Sequence, residues 1–310
     1  MTTLGRAIAA RFVLLGWLGV AATLLAFGGT LWWALELFVH FRPWYVVLLL
    51  PSAAFAVWLG RRVSAGMMLA GALLNLTLVA PAWRGSLDSE AAPAQLRVVV
   101  FNLGLRNSNA AEVTRFLAQV RADAAVLLEV GPQWREPLAS LRPVYPHQLV
   151  HVRDDPFGIA LLSAHPCTPC DEIEGEGIAP ALLGRLALGD ERLWIAGVHA
   201  VPPVNGEWTR ERDEYLRRMS RRLAALAGPR MLAGDFNTTP WAPGYRELLA
   251  ADLRDGERAL ASWPAFLPFP VIPIDHVLVS KELRVLSKRR GPPLGSDHYP
   301  IVVELATNRD

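Results

Sequence analysis

The sequence predicts an α/β protein in which two packed sheets, with helices outside them, follow three membrane-crossing helices. Three observations carry this reading. Residues 12–35, 43–60 and 63–83 are three successive uncharged stretches, whereas the remainder has ordinary globular composition. Beyond residue 96, short apolar, β-branched runs outnumber helical patterns, with helices spaced among them; this suits two packed sheets better than a doubly wound sheet. Finally, short polar inserts sit at the ends of those runs, where a sheet scaffold presents functional side chains on loops.

The 310 residues allow one large domain or two modest ones. A net charge of +2 is too small to argue for nucleic acid, and two cysteines exclude a disulfide-rich scaffold. About 20 apolar residues cross a bilayer as a helix, so residues 1–83 read as an anchor of three spans. A cleaved signal peptide has one shorter apolar core and no successors. Trp32, Trp33, Trp44 and Trp83 lie near span ends, as interfacial anchors do. Arg6 and Arg11 precede the first span and Arg61 and Arg62 fill the second turn, while Arg42 lies in the first turn and Arg84 follows the third span. The positive-inside bias then leaves the N-terminus in the cytoplasm and, after three crossings, everything beyond Trp83 outside it. The expected location is a bacterial inner membrane, multi-pass, with the second domain extracytoplasmic. Glu36 is expected near the outer end of the first span, within reach of water.

Residues 84–95 are small, polar and proline-containing, and read as a linker. Fully extended, it reaches about 40 Å. The second domain, 96–310, offers strands at 96–101, 124–128, 158–163, 185–188, 192–198, 230–233, 276–279 and 301–305. Helices are expected at 110–120, 209–227 and 241–250. Within 209–227, Tyr215, Met219, Leu223 and Leu226 make one apolar stripe, and Arg212, Arg217, Arg218, Arg221 and Arg222 are expected on the solvated face, or against anionic lipid head groups. No G-x-G-x-x-G follows a strand and no P-loop occurs, so a nucleotide cradle is not expected.

The inserts read, in order, Phe101-Asn102-Leu103, Leu128-Glu129-Val130, Gly197-Val198-His199, Gly234-Asp235-Phe236-Asn237, Ile274-Asp275-His276-Val277 and Gly295-Ser296-Asp297-His298-Tyr299-Pro300. Together they offer oxygen donors suited to a hard cation and imidazoles suited to proton transfer. Glu129 directly follows an apolar run, where a carboxylate has a reason to be. Asn102 offers a carbonyl oxygen beside it, and Asp297 a further carboxylate, directly or through water. His298 is the leading general base, since a neutral imidazole takes a proton near pH 7. His276 follows Asp275 and is expected to face away, since strand neighbours alternate.

This ordered set resembles the endonuclease/exonuclease/phosphatase superfamily, which includes DNase I-like nucleases, abasic-site endonucleases, neutral sphingomyelinases and inositol-polyphosphate phosphatases. The resemblance covers essentially all of the second domain, and the three spans resemble a bacterial membrane-anchored branch that includes proteins linked to glycopeptide resistance. It implies a four-layer α/β sandwich of two mixed sheets and Mg²⁺-dependent cleavage of phosphoester bonds, with Mn²⁺ as a substitute. It further implies a metal at Asn102, Glu129 and Asp297. Asp275 would fix the His298 tautomer, Asp235 would orient or deprotonate the attacking water, Asn237 would donate to a phosphoryl oxygen, and His199 would stabilise the transition-state phosphate or assist the leaving group. One departure is Leu103-Gly104-Leu105 after Asn102, which lacks the acidic residue some nucleases use there for metal contact; this counts against the abasic-endonuclease reading and against a second metal.

Cys167-Thr168-Pro169-Cys170 is compatible with a local disulfide in an external domain, with reduced structural cysteines, or with redox catalysis. The segment from Trp263 through Phe266 to Phe269 is either a core lid or an apolar rim that admits a lipid chain. The expected function is a membrane-anchored phosphoesterase acting on a phosphorylated, lipid-linked substrate. The alternatives are a Mg²⁺-dependent nuclease and a non-catalytic membrane module; oligomeric state is not legible.

Overall fold

The structure, a computed structural model, describes residues 2–83, 95–173, 178–188, 191–249, 252–255, 259–269 and 271–308. The chain divides into two compact units, Met1–Arg84 with Pro240–Pro243, and Gly85–Thr239 with Gly244–Asp310. Most of the expected linker, residues 84–94, lies outside the described residues. Gln95 already belongs to the second unit, its N–H donating to the Leu305 carbonyl at 2.9 Å.

The first unit is helical: α1 (Thr3–Leu25), α2 (Trp33–His40), α3 (Arg42–Trp58) and α4 (Arg62–Trp83). Its first helix corrects the expected span 12–35. It starts at Thr3, with the Thr2 hydroxyl accepting from the Gly5 N–H at 3.2 Å, and it ends at Leu25, where a 3₁₀ turn Ala26–Thr30 takes over. Gly28 and Gly29 hold a helix poorly, which accounts for the break. A bend of 64° separates α2 from α3. Pro43, in the first turn of α3, has no N–H to offer a continuous helix. The stretches Thr3–Thr30 and Arg62–Trp83 are each long and apolar enough to cross a membrane, and the bent pair makes a third crossing if it acts as one span. Alone, the 17 residues of α3 rise about 26 Å, short of the roughly 30 Å hydrocarbon core.

Small residues let these helices approach closely. A Cβ on Gly16 would come within 2.6 Å of Met68 and 2.7 Å of Ser52. Glu36 is not within reach of water as expected; it is buried beside His40, Oε1 to Nε2 3.9 Å. Arg42 is likewise no loop cation. Its buried guanidinium donates to Asn75 Oδ1 at 3.1 Å and lies 4.8 Å from the Phe27 ring centroid, while Asn75 Nδ2 donates to Thr23 Oγ1 at 2.7 Å. Charge among apolar helices is costly, so it is held by partners rather than left on a turn. Trp241 packs within this unit, its indole N–H donating to the Val39 carbonyl at 2.9 Å.

In chain order the second unit consists of β1 (Leu96–Asn102), α5 (Ala110–Val120), β2 (Ala124–Leu128), α6 (Arg135–Ala139), β3 (His147–His151), β4 (Ile159–Ser163), β5 (Cys167–Ile173), β6 (Ala181–Leu188), β7 (Glu191–His199), α7 (Gly206–Ala224), β8 (Arg230–Asp235), α8 (Pro243–Leu249), β9 (Leu253–Asp255), β10 (Asp275–Ser280), β11 (Leu283–Arg290) and β12 (Ile301–Thr307). Two six-stranded mixed sheets result, in orders β11-β12-β1-β2-β4-β3 and β5-β6-β7-β8-β10-β9. Between them lies a shared core in which Val98, Val126 and Leu161 of one sheet belong with Ile195, Met231 and Val277 of the other. The outer faces are covered too: Val99, Phe101 and Leu127 cluster with Phe116 and Leu117 of α5, and Val198 and Leu232 with Tyr215, Met219 and Leu223 of α7. Sheets buried on both faces explain why β2, β4, β8 and β10 read as continuous apolar runs rather than alternating ones.

The expected helix 241–250 begins instead at Pro243, a residue pre-organised for a first helical position. Arg212 corrects the expectation of a solvated arginine face: it is fully buried, and its guanidinium donates to Asp213 Oδ1 at 2.6 and 2.8 Å and to the Asn237 carbonyl at 3.4 Å. Arg217 does sit at the surface, paired with Glu214 and Glu247. Cys167 and Cys170 are joined as a disulfide on β5, with Cα atoms 5.6 Å apart.

Candidate active site

Strand register places the polar inserts side by side. His199 ends β7 opposite Asp235 at the end of β8, and Asp275 at the start of β10 faces the same Asp235 across an antiparallel pair. In the other sheet, Asn102 ends β1 opposite Leu128, so Glu129 follows immediately at the same edge. Gly234 supplies the close approach this requires. At φ +150° its missing Cβ would otherwise collide with the Val198 carbonyl oxygen. Glu129 (φ +55°) and Asn237 (φ +48°) adopt left-handed backbone, a strained state characteristic of functional turns.

The side chains converge. Asn102 Nδ2 donates to Glu129 Oε1 at 3.0 Å and to Asp235 Oδ2 at 3.3 Å; Glu129 Oε2 accepts from the Leu105 N–H at 2.7 Å. Asp235 Oδ2 lies 3.6 Å from His298 Nε2 and 3.7 Å from His199 Nε2. His298 Nδ1 donates to Asp275 Oδ2 at 2.8 Å. Asn237 donates its backbone N–H to Asp235 Oδ1 at 2.8 Å and its side-chain amide to the Ala200 carbonyl at 2.8 Å. The sequence-selected residues Asn102, Glu129, His199, Asp235, Asp275 and His298 thus form one connected, largely buried cluster, with Asn237 at its margin. Asp297 joins differently. Its Oδ2 accepts from Trp263 Nε1 at 3.0 Å, and its charge is felt at His298.

Burial and mutual charge set the protonation of this cluster. Burial, then the neighbouring Asp275 charge, pushes the Asp235 carboxyl up to about 7 despite the opposing influence of His298. Burial alone would lower His298, but the Asp275 and Asp235 carboxylates outweigh it and push the imidazole up to about 10. Burial raises Asp275, yet the His298 charge and hydrogen bond prevail and hold it below the ordinary carboxylate range. His199 is lowered, chiefly by burial, and stays neutral near pH 7. Its Nδ1 lies 3.1 Å from the Pro156 carbonyl oxygen, which can only accept, so Nδ1 carries the proton and bare Nε2 faces the site.

The donor chemistry fits a divalent cation. The Glu129, Asp235 and Asp275 carboxylates and the Asn102 amide gather at strand ends of the two sheets, Asp275 Oδ1 is buried without a hydrogen-bond partner among the described residues, and burial, then the Asp275 charge, already pushes Asp235 toward protonation. Among the described residues, Asp235, Asp275 and His298 also bring one ligand atom each within 4.8 Å of one another.

Sequence reasoning left out several residues that shape the site. Ser296 Oγ donates to the Asn102 carbonyl at 2.7 Å and accepts from the His298 N–H at 3.0 Å, tying two inserts together. His276 does face away from Asp275, but it is not idle. Burial holds it neutral, down at about 4, and Nε2 lies 2.9 Å from the Thr238 carbonyl, bracing the turn that carries Asn237. Arg212 supports the same turn from α7. Its position beside Asn237 has no signal in the sequence, whereas the Ser-x-x at the head of Ser296-Asp297-His298 is a recognisable side-chain-to-backbone turn. His165 pairs with Asp123 at 2.7 Å, away from the inserts.

Residues 99–298 match the profile of the Endonuclease/Exonuclease/phosphatase family. No curated protein matches significantly. Among solved structures, an endonuclease/exonuclease/phosphatase from Beutenbergia cavernae is similar at 18% identity and TM-score 0.55, over 68% of this chain and 71% of that one. Sphingomyelinase C from Streptomyces griseocarneus is similar at 20% identity and TM-score 0.51, over 69% and 99%. D. rerio TDP2, complexed with single-strand DNA product, is similar at 15% identity and TM-score 0.57, over 68% and 99%. At these identities the likenesses speak to the fold.

Proposed function

This chain belongs to the Endonuclease/Exonuclease/phosphatase family, and from that premise we propose that it is a membrane-anchored, Mg²⁺-dependent phosphoesterase cleaving a phosphate ester or pyrophosphate bond of a lipid-linked substrate outside the cytoplasm. The observation that carries the reading is the Asp235–His298–Asp275 cluster occurring in a chain that also has two or three helices able to cross a membrane. A short linker between anchor and catalytic unit raises the effective concentration of a membrane-borne phosphate, and does nothing comparable for nucleic acid in solution.

Family members generally use divalent metals, and here Asn102 and Glu129, with Asp297, would hold the ion. Bound there, it would neutralise charge on the phosphoryl oxygens. The chain's own groups do the rest. Asp235, poised near 7, accepts the proton of the attacking water, a better match to neutral pH than His298 at about 10. Water oxygen bonds to phosphorus as the bond to the leaving oxygen breaks. His298, held as imidazolium by Asp275, presents Nε2–H toward the charge that builds on the phosphoryl group. The leaving oxygen departs with the bonding electron pair and takes its proton from solvent, because neutral His199, protonated on Nδ1, presents bare Nε2 and has none to give. Asn237 steadies the Asp235 turn.

Hydrolysis by the purified full chain against lipid pyrophosphate, lipid phosphodiester, inositol phosphate and DNA, with Mg²⁺ and with EDTA, tests the proposal. Metal-dependent turnover of a lipid phosphate supports it. Efficient DNA cleavage without lipid turnover replaces it with the nuclease reading, and inactivity against all four favours a non-catalytic module.

A further inference from the structure

Residues 259–274 of the loop between β9 and β10 carry no charged side chain. At its tip Phe266 is 73% exposed, Leu267 38% and Phe269 53%, the densest run of exposed large apolar side chains among the described residues of the catalytic unit. Soluble surfaces seldom show such a cluster without a purpose. The base of the loop, by contrast, is fixed to the catalytic inserts. Trp263 Nε1 donates to Asp297 Oδ2 at 3.0 Å, and the Ala265 N–H donates to the Asp297 carbonyl at 2.6 Å. Ser262 accepts the Tyr299 N–H on its carbonyl at 2.9 Å and the Asp275 N–H on its hydroxyl at 3.3 Å. The Trp263 carbonyl accepts from the Val271 and Ile272 N–H groups at 2.7 and 2.9 Å, closing the base.

We infer that residues 266–269 form a docking tip for a phospholipid bilayer surface, and that the fixed base holds the lip of the active site, at Asp297 and Asp275, against that surface. The bilayer is the occupant the molecule itself indicates. The tip is apolar and uncharged, and the same chain carries helices long and apolar enough to cross a membrane, so lipid is present wherever this protein is. Aromatic side chains favour the boundary between head groups and acyl chains. The inference rests on the membrane location in the proposed function, but its test reads where the loop sits rather than what is hydrolysed.

Cys167 and Cys170 are the only two cysteines and are joined, so Leu267→Cys introduces a single reactive thiol. The full chain carrying an environment-sensitive fluorophore at position 267 is reconstituted into phosphatidylethanolamine–phosphatidylglycerol vesicles. Doxyl-labelled phospholipid should quench the label and aqueous iodide should not; Phe266→Ser with Phe269→Ser should reverse this pattern. In parallel, the double substitution should cut turnover of a vesicle-borne phosphoester at least about tenfold while leaving a small soluble phosphoester unaffected, since each lost phenylalanine forfeits more than a tenfold partition gain. A label quenched by iodide overturns the inference. So does a label shielded from both quenchers, which would mean a protein partner or second copy covers the tip. Lipid quenching without any lipid turnover leaves the docking tip standing and removes the proposed substrate instead.

Discussion

Replacing Asp275 by Asn tests the electrostatic core of the site. The change keeps shape and removes one charge, 2.8 Å from His298 Nδ1. His298 is raised from 6.5 to about 10 although burial pulls it down, and Asp275 is the foremost of the groups that raise it. At about 1.4 kcal/mol per pKa unit that rise is worth about 5 kcal/mol, which is a ceiling. Asp235 remains 3.6 Å away, and once the Asp275 charge is gone its own carboxyl ionises more readily and recovers part of the attraction. The sign follows from linkage. A raised imidazole stabilises the fold fully below its unfolded value of 6.5, and that stability is lost as pH rises through about 10. Wild type in EDTA should therefore lose stability across that window, and Asp275→Asn should be less stable at pH 6 and flatter above it. Denaturant titration from pH 6 to 10, with ring-labelled histidine NMR on the same samples, measures both quantities. Turnover should fall at least about a hundredfold. If His298 still titrates near 10 in the variant, Asp275 is not what raises it and the protonation scheme fails.

Glu129→Gln should lose most metal-dependent hydrolysis while the fold survives; metal titration of activity checks this, and equal wild-type activity in EDTA would end the metal's role. Asp235→Asn and His298→Ala should each lower single-turnover rates by about a hundredfold to ten-thousandfold with little loss of binding. Arg212→Met should destabilise the catalytic unit by about 2 kcal/mol, because the Asp213 carboxylate and Asn237 carbonyl lose a charged donor; chemical denaturation reads it. A reporter fused after Asp310 should be active outside the cytoplasm, as three crossings with α2 and α3 acting as one span require; activity inside would reverse this topology.

The strands the sequence revealed are those buried on both faces. β1, β2, β4, β7, β8, β10 and β12 carry apolar runs, and the second half of β6 was visible in the same way. β3, β5, β9 and β11 were not legible, and they are the four edges of the two sheets. An edge strand is covered on fewer sides and needs no apolar run; β11, for instance, reads Leu-Arg-Val-Leu-Ser-Lys-Arg-Arg. The membrane unit shows the converse limit. Its apolarity was plain, but Gly28, Gly29 and Pro43 break and bend what hydrophobicity alone counts as uninterrupted spans.

What the sequence determined by itself was the polar set and its order, because Asn102, Glu129, His199, Asp235, Asn237, Asp275, Asp297 and His298 each interrupt or end an apolar run, and a polar residue at a strand end announces itself locally. What only the tertiary structure decided was which of them share charge. The register that sets His199 and Asp275 on either side of Asp235, the burial that drives Asp235 up to about 7 and the carboxylates that lift His298 to about 10 depend on residues 23 to 63 positions apart in sequence. The same is true of buried Arg212 and of the tie from Trp263 to Asp297. Proton affinities and buttressing contacts are properties of distance and dielectric between chain-distant groups, and no local pattern encodes them.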